Sequence, residues 1–229
     1  MKLQEIFNWY RSFNPGVTYD GMNQRLNQLE KFFISIKDHI NFDTITCIET
    51  GASQNWKDGC TGVLLAKMSE KTGGSFYSVD INKDIVDKSS LMYKKLGLKN
   101  VIHSTSDSVE YLKNVEVIPN IVHLDSMDLN LKDPFPCAIH GWEEFCAIED
   151  KMPINSLIII DDNYFKGTWV EWKDNKLDTE WEKLNIEYPI VGKGAFIYHK
   201  LKENQNKWVL VSKEEPGYNS KLVYKKMNL

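Results

Sequence analysis

Four short apolar stretches of this chain each run directly into an acidic residue. They are Ile45–Glu49, Phe76–Asp80, Ile121–Asp125 and Leu157–Asp161. Short apolar runs are typical of strands that are buried on both faces, as in a parallel sheet covered by helices. Because parallel strands end at the same edge of a sheet, we expect the four carboxylates at the carboxyl edge, where ligands bind in open α/β sheets.

Helix-like segments alternate with these runs along the chain. Apolar residues recur at helical spacing over 21–40, and further helices are predicted over about 59–71, 83–96, 106–112 and 140–151. Near the C-terminus, Ala195–Lys200 and Trp208–Ser212 are strand-like and flank a polar turn, which predicts a hairpin. The pattern predicts a Rossmann-like, doubly wound, mostly parallel seven-stranded sheet that ends in an antiparallel hairpin, with helices on both faces.

The length and composition fit one large α/β domain. We expect an N-terminal helical cap region at 1–43, a Rossmann-like core at 44–212 and a tail at 213–229. The net charge of −4 and the scattered basic residues give no reason to expect a nucleic-acid partner. No apolar run approaches the roughly 20 residues that cross a bilayer. The four cysteines fit neither a zinc motif nor a disulfide framework, so a cytoplasmic location is expected.

The turn after the first strand and the acid after the second predict a nucleoside-type ligand. Gly51 follows Glu49 and Thr50 directly, and Ser53 can donate a hydrogen bond from the same turn. The dinucleotide fingerprint is absent, which argues against a pyrophosphate seat. Asp80 can accept two hydrogen bonds from ribose hydroxyls. The alternatives are a plain glycine turn and a helix N-cap at Asp80.

Ser106 and Asp107 follow the third predicted strand, where the edge of an adenine ring would lie. Their side chains are therefore candidates for cofactor binding. Capping of the helix that follows is the alternative, and it is the more common role for Ser and Asp at such a position.

The densest group of polar residues combines the end of the fourth run with the end of the fifth. Asp125 is expected beside Asp161, Asp162 and Asn163, because the two strands should be neighbours. Carboxylate and amide oxygens without Cys or His suit Mg²⁺, with Ca²⁺ and Mn²⁺ as alternatives, and clustered carboxylates repel unless something neutralises them. The alternative is that these residues only cap and shape a turn.

Three residues near this edge are candidates for a catalytic role. Asp125 itself, Asp128 and His140 can each act as a proton acceptor if they face the acceptor. His123 alternates with Asp125 within the strand and is expected to point toward a packed face. His140 begins a helix and can equally be a surface residue.

Taken in order, Glu49-x-Gly51, Asp80, Asp125 and Asp161-Asp162-Asn163 resemble the motifs of class I S-adenosylmethionine-dependent methyltransferases. More narrowly, they resemble the metal-dependent small-molecule O-methyltransferases of the catechol and antibiotic-sugar types. The resemblance spans about 44–212. It implies that the acid after the second strand binds ribose and that the acids after the fourth and fifth strands hold Mg²⁺. Where catechol-type enzymes carry a lysine base, this chain carries Asp128.

The resemblance implies in-line transfer of a methyl group from S-adenosylmethionine to a hydroxyl oxygen, with Mg²⁺ orienting the acceptor. The partner expected is a small-molecule acceptor, such as a sugar or a phenol, with neither nucleic acid nor membrane. The oligomeric state stays open, with a homo-oligomer as one alternative. Two alternatives stay open. One is a metal-dependent nucleotide-sugar transferase, and the other is a non-catalytic module that binds S-adenosylmethionine.

Overall fold

The computed structural model describes residues 2–12, 20–54, 60–130, 133–165, 190–203, 206–213 and 220–227. These residues build one mixed sheet with the strand order β3-β2-β1-β4-β5-β8-β7, and β6 pairs separately with β5. The strands are β1 (Cys47–Thr50), β2 (Phe76–Asp80), β3 (Val101–Thr105), β4 (Ile121–Leu124), β5 (Leu157–Phe165), β6 (Ile190–Gly192), β7 (Trp208–Lys213) and β8 (Ser220–Lys226).

The five strands β1 to β5 are parallel where they are neighbours, as the four acidic-ended runs predict. In β1 and β4 every residue is buried, because helices cover both faces of the sheet. Glu49 of β1 lies opposite Ser78 of β2 and His123 of β4 in the register. The predicted fold class, a mostly parallel Rossmann-like sheet with a final antiparallel hairpin, is confirmed.

The hairpin itself is formed by different residues from those predicted. Ala195–Lys200 is not a strand but part of the helix Ala195–Glu203. The antiparallel partner of β7 is β8, which lies in the segment assigned to the tail and also pairs antiparallel with β5. A short apolar run fits a strand or a helix equally well, and here Ile197 and Leu201 are buried one helical turn apart.

Helices pack on both faces of the sheet and divide the core in two. One core takes its helical residues from α1 to α4, and the other takes them from α5 to α7. The helices are α1 (Leu3–Ser12), α2 (Asp20–Ser35), α3 (Cys60–Lys71), α4 (Lys83–Lys95), α5 (Ser108–Asn114), α6 (Phe135–Ile148) and α7 (Ala195–Glu203), with a 3₁₀ turn at Lys37–His39.

The alternation of side chains along the strands decides which of the two cores each strand residue enters. Leu157 and Ile159 of β5 enter the core of α1 to α4, whereas Ile158 and Ile160 enter the other. The first two helices contribute to the former through buried residues such as Phe7 and Phe33, whose ring centroids lie 6.4 Å apart. No helix in the described ranges is both long and apolar enough to cross a membrane.

Candidate functional site

The carboxyl edge of the sheet is closed between β1 and β4 by a glycine turn. Gly51 has a φ of +82°, and a Cβ atom there would lie 2.1 Å from the carbonyl oxygen of Asp125. The Asp125 amide donates to the carbonyl oxygen of Thr50 at 3.0 Å, and the Gly51 amide donates to Val79 at 2.8 Å. Only glycine allows both this backbone conformation and this close approach.

Asp80 connects the loops that follow the first three strands. Its Oδ2 accepts a hydrogen bond from the Ala52 amide at 3.0 Å, and its Oδ1 accepts one from the Asn82 amide at 2.8 Å. The carbonyl oxygen of Asp80 accepts from the Ser106 amide at 3.0 Å. The N-cap of α4 is Asn82 rather than Asp80. An ionised carboxylate has further lone pairs, so Asp80 can still accept hydrogen bonds from a ligand.

The structure places the other predicted cofactor residues of this edge in three kinds of position. Ser53 is buried in the turn beside Gly51. Asp107 is the N-cap of α5, because its Oδ1 accepts from the Glu110 amide at 2.9 Å. The Ser106 hydroxyl donates to the Asp107 carbonyl oxygen at 3.1 Å. The capping alternative therefore accounts for Asp107, and a role in binding adenine stays a prediction for both residues.

Glu49 does not face the edge of the sheet. Its carboxylate is buried beneath α3, where a Cβ atom on Gly62 would lie 2.1 Å from its Oε1. The Ser78 hydroxyl lies 3.5 Å from Oε2, and Nδ1 of His123 lies 3.3 Å from Oε1. Burial raises the pKa of Glu49, and His123 opposes that effect. Glu49 is therefore an internal acid beside His123, and its role as a cofactor ligand stays a prediction.

A row of charged groups continues from Glu49 across the sheet. Nε2 of His123 lies 3.5 Å from Oδ2 of Asp161, and both oxygens of Asp161 accept from the Lys221 ammonium at 2.6 Å. Burial alone lowers the pKa of His123, but its two acidic neighbours raise that pKa to about 9. Burial alone raises the pKa of Asp161, but Lys221 and His123 hold it well below its ordinary value. The row therefore alternates acidic and basic side chains, and His123 points into the packed interior as predicted.

A second lysine joins the two acids that lie closest to the surface. Nζ of Lys193 lies 2.5 Å from Oδ1 of Asp125 and 2.7 Å from Oδ2 of Asp162. The Lys193 side chain is only 2% exposed, whereas those of Asp125 and Asp162 are 30% and 17% exposed. Burial alone lowers the pKa of Lys193, but the carboxylates around it raise it well above its ordinary value, so it is an ammonium ion.

Asn163 has a structural role in positioning this lysine. Its side-chain oxygen accepts from the Gly194 amide at 2.8 Å, and its side-chain nitrogen donates to the carbonyl oxygens of Ile160 and Ser220 at 2.8 and 3.2 Å. The side chain is completely buried. Because both ends of the amide are engaged with the backbone, Asn163 fixes the turn that carries Lys193.

The metal site predicted from Asp125, Asp161, Asp162 and Asn163 does not fit this arrangement. One ligand atom each from His123, Asp125 and Asp161 lies within 4.8 Å of the others, a spacing that metal sites also show. Each carboxylate, however, already has a cationic partner: Lys221 pairs with Asp161, Lys193 bridges Asp125 and Asp162, and Asn163 is engaged elsewhere. A divalent ion here would have to displace buried ammonium groups. The structure therefore gives no support for the predicted Mg²⁺ at these residues.

The candidates for a general base lie in different places. Asp125 is the partly exposed acid at the edge, and Asp128 lies in the exposed loop that follows β4. Nε2 of His140 lies 3.0 Å from the Ser108 hydroxyl and 3.6 Å from Oε1 of Glu144, where α5 and α6 meet. The neighbouring Glu144 carboxylate raises the pKa of His140. His140 is therefore engaged between these helices, and the catalytic roles of all three residues stay predictions.

Two residues of this site were missed from the sequence, namely Lys193 and Lys221. One signal could have indicated the first, because Lys193 stands between two glycines in Gly192-Lys193-Gly194. A long side chain between glycines is typical of a tight turn that presents one functional group. Lys221 lies in an ordinary strand sequence, and its burial becomes apparent only when β8 is placed beside β5.

No protein-family model and no curated protein matches the sequence. Several solved structures share its fold. An rRNA methylase from Streptococcus thermophilus is 12% identical with a TM-score of 0.54, covering 88% of this chain and 97% of that one. A ribosomal protein L11 methylase from Lactobacillus delbrueckii subsp. bulgaricus is 11% identical with a TM-score of 0.53, covering 89% and 80%. A putative methyltransferase from Streptococcus mutans in complex with SAH is 12% identical with a TM-score of 0.55, covering 87% and 98%.

At such identities the likeness shows the fold, which is the Rossmann-like fold of these methyltransferases. It also overturns the predicted partners. We expected a small-molecule acceptor and no nucleic acid, but proteins with this fold include methylases of rRNA and of a ribosomal protein. The net charge of the whole chain was therefore not a sound basis for excluding a macromolecule.

Proposed function

We propose that this protein is an S-adenosylmethionine-dependent methyltransferase. The observation that carries the proposal is the junction at Asp80, which ties together the loops after the first three strands. Its carboxylate accepts from the Ala52 and Asn82 amides, and its backbone carbonyl oxygen accepts from the Ser106 amide. Ligands of open α/β sheets bind in this crevice, and the acid after the second strand is placed to accept ribose hydroxyls. The shared fold with a methyltransferase in complex with SAH supports the same conclusion.

S-adenosylmethionine, when bound, supplies a methyl group on a sulfonium sulfur, and the acceptor must approach it from the opposite side. The chain's contribution is then mainly to position the acceptor. We propose that Asp125 hydrogen-bonds the acceptor, because it is the most exposed acid of the cluster and is held in place by Lys193. Its carboxylate can receive the proton that leaves the acceptor as the new bond to carbon forms. No step requires a metal ion.

For the acceptor we propose a hydroxyl group on a macromolecule. We propose a hydroxyl group because the sequence motifs resemble those of O-methyltransferases. We propose a macromolecule because two proteins that share the fold are methylases of macromolecules. Their names refer to components of the ribosome, rRNA in one case and protein L11 in the other. Ribosomal RNA and ribosomal proteins are therefore the first acceptors to test.

The first experiment is a calorimetric titration of S-adenosylmethionine and S-adenosylhomocysteine into the purified protein, once with Mg²⁺ and once with EDTA. We expect equal binding in both conditions. Transfer of radioactive methyl groups to isolated ribosomal subunits would then test activity. Failure to bind either compound, with binding of a nucleotide-diphosphate sugar instead, would overturn the proposal. Tight binding without transfer to RNA, protein or other acceptors would favour a non-catalytic module.

A further inference from the structure

We propose that Lys193 is a built-in cation that occupies the place of a divalent metal between Asp125 and Asp162, so that the site works without metal. The ammonium also acts as a positioning group that fixes Asp125 toward the acceptor. This second part rests on the proposed function, whereas the exclusion of metal does not. Three features of the site support both parts: the contacts of the ammonium, the rigidity of its turn and the charged groups around it.

The contacts of Lys193 are those of a bridging cation. Its ammonium lies 2.5 Å from Asp125, which follows β4, and 2.7 Å from Asp162, which lies within the neighbouring strand β5. These are the distances of charge-assisted hydrogen bonds. With only 2% of its side chain exposed, the ammonium is enclosed rather than reaching loosely across a surface. A Mg²⁺ ion would need the same oxygens at about 2.0–2.1 Å together with several waters.

The turn that carries Lys193 is fixed by close backbone contacts. A Cβ atom on Gly192, which has a φ of +121°, would lie 1.9 Å from the carbonyl oxygen of Asp162. A Cβ atom on Gly141 of α6 would lie 2.4 Å from the carbonyl oxygen of Lys193. Asn163 accepts the hydrogen bond of the Gly194 amide. The lysine is therefore held between β5 and α6, and its ammonium has little freedom to leave the two acids.

The charged groups around Lys193 explain why its ammonium and a metal ion exclude each other. Lys221 and His123 already engage Asp161, so Lys193 is the cation that Asp125 and Asp162 share. Adding a divalent ion beside a buried ammonium would place positive charges next to each other in a poorly solvated region. Removing the ammonium would leave the carboxylates of Asp125 and Asp162 without an ion-pair partner among the described residues, and a divalent cation would then bind favourably.

The test measures Mn²⁺ binding by calorimetry, without any cofactor or acceptor. The wild-type protein is expected to show no saturable binding. Lys193→Ala is expected to bind one Mn²⁺ at least about tenfold more tightly than wild type, and the double variant Lys193→Ala/Asp162→Asn is expected to lose that site. Lys193→Arg retains a cation and is expected to behave like the wild type. The converse pattern, in which the wild type binds Mn²⁺ and Asp162→Asn alone abolishes binding, overturns the proposal even if Lys193→Ala does not fold.

The positioning role is tested with the methyl-transfer assay. Lys193→Ala is expected to lower kcat while leaving the affinity for S-adenosylmethionine within about twofold, and added Mg²⁺ is expected to restore part of kcat. Lys193→Arg should keep more activity than Lys193→Ala, and Mg²⁺ should not change the wild-type rate. A purely structural lysine would show no rescue by Mg²⁺, and that result would refute positioning. If the protein does not bind S-adenosylmethionine, the proposed function fails while the Mn²⁺ result still decides the exclusion of metal.

Discussion

Both carboxylate oxygens of Asp161 accept hydrogen bonds from the ammonium of Lys221, each at 2.6 Å. The side chains of the two residues are 6% and 4% exposed, so the pair is almost completely removed from water. A buried ion pair adds little stability compared with an apolar pair of the same shape. Losing one partner is costly, however, because the other charge then stays buried without compensation.

Replacing Lys221 by methionine should therefore destabilise the protein strongly. We expect Lys221→Met to lower the free energy of unfolding by about 3–5 kcal/mol, measured by urea denaturation. The double variant Lys221→Met/Asp161→Asn should recover part of this loss, because the uncompensated carboxylate is gone. Lys83→Met removes an exposed helical ion pair with Asp87 and should leave the unfolding midpoint nearly unchanged. Equal effects of the two lysine variants would contradict the role of burial.

The positions of the acids at the edge of the sheet could be predicted from the sequence because they follow local patterns. An apolar run that ends in an acid is a local feature, and parallel pairing then places Asp80 and Asp125 at the same edge. The glycine that follows Thr50 is equally local. These features required no knowledge of residues far away in the chain.

The partners of the acids could not be predicted, because they depend on contacts between distant residues. Lys193 lies 31 positions after Asp162, and Lys221 lies 60 positions after Asp161. When these lysines are not recognised, the run of Asp161, Asp162 and Asn163 predicts a neutralising cation, and its oxygen ligands favour Mg²⁺. The fold instead separates the three side chains. A β-bulge interrupts the pairing of β5 with β8 here, and Asp162 adopts a positive φ of 52°.

Asp80 provides a direct test of cofactor binding. We expect Asp80→Asn to weaken binding of S-adenosylhomocysteine by about 10- to 100-fold, because a hydrogen bond to a charged group contributes about 1.5–3 kcal/mol. Calorimetric titration would measure the change. Asp87→Asn, an exposed acid on the neighbouring helix α4, is the control and should bind normally. If Asp80→Asn binds as tightly as the control, Asp80 only ties the loops together.

Gly51 should be far less tolerant of substitution than another glycine with the same backbone conformation. Gly51 and Gly97 both have positive φ values, +82° and +73°, but only Gly51 has backbone atoms in the space of a Cβ. We expect Gly97→Ala to cost about 1 kcal/mol for the backbone strain alone. Gly51→Ala should cost at least about 2 kcal/mol more, since the turn must move away from Asp125.

Thermal and urea unfolding of the two glycine variants would measure this difference. Binding of S-adenosylhomocysteine should fall in Gly51→Ala and stay normal in Gly97→Ala. Similar stability of the two variants would show that the loop after β1 can move away from β4 at little cost, which would contradict the close approach.

The charge of His123 predicts how stability depends on pH. Its folded pKa of about 9 lies above the unfolded value of about 6.5, because Asp161 and Glu49 favour the imidazolium ion despite its burial. A group with a raised folded pKa stabilises the protein fully below its unfolded pKa, and this stabilisation is lost as the pH rises through the folded pKa. Between pH values of about 6.5 and 9, the free energy of unfolding should therefore fall by roughly 3 kcal/mol.

Urea denaturation across this range would measure the fall. His123→Gln should be less stable at neutral pH and lack most of this slope, whereas His199→Gln, a change at a more exposed histidine, should keep it. A slope that persists in His123→Gln would mean that another group accounts for it and that His123 is not charged in the folded protein.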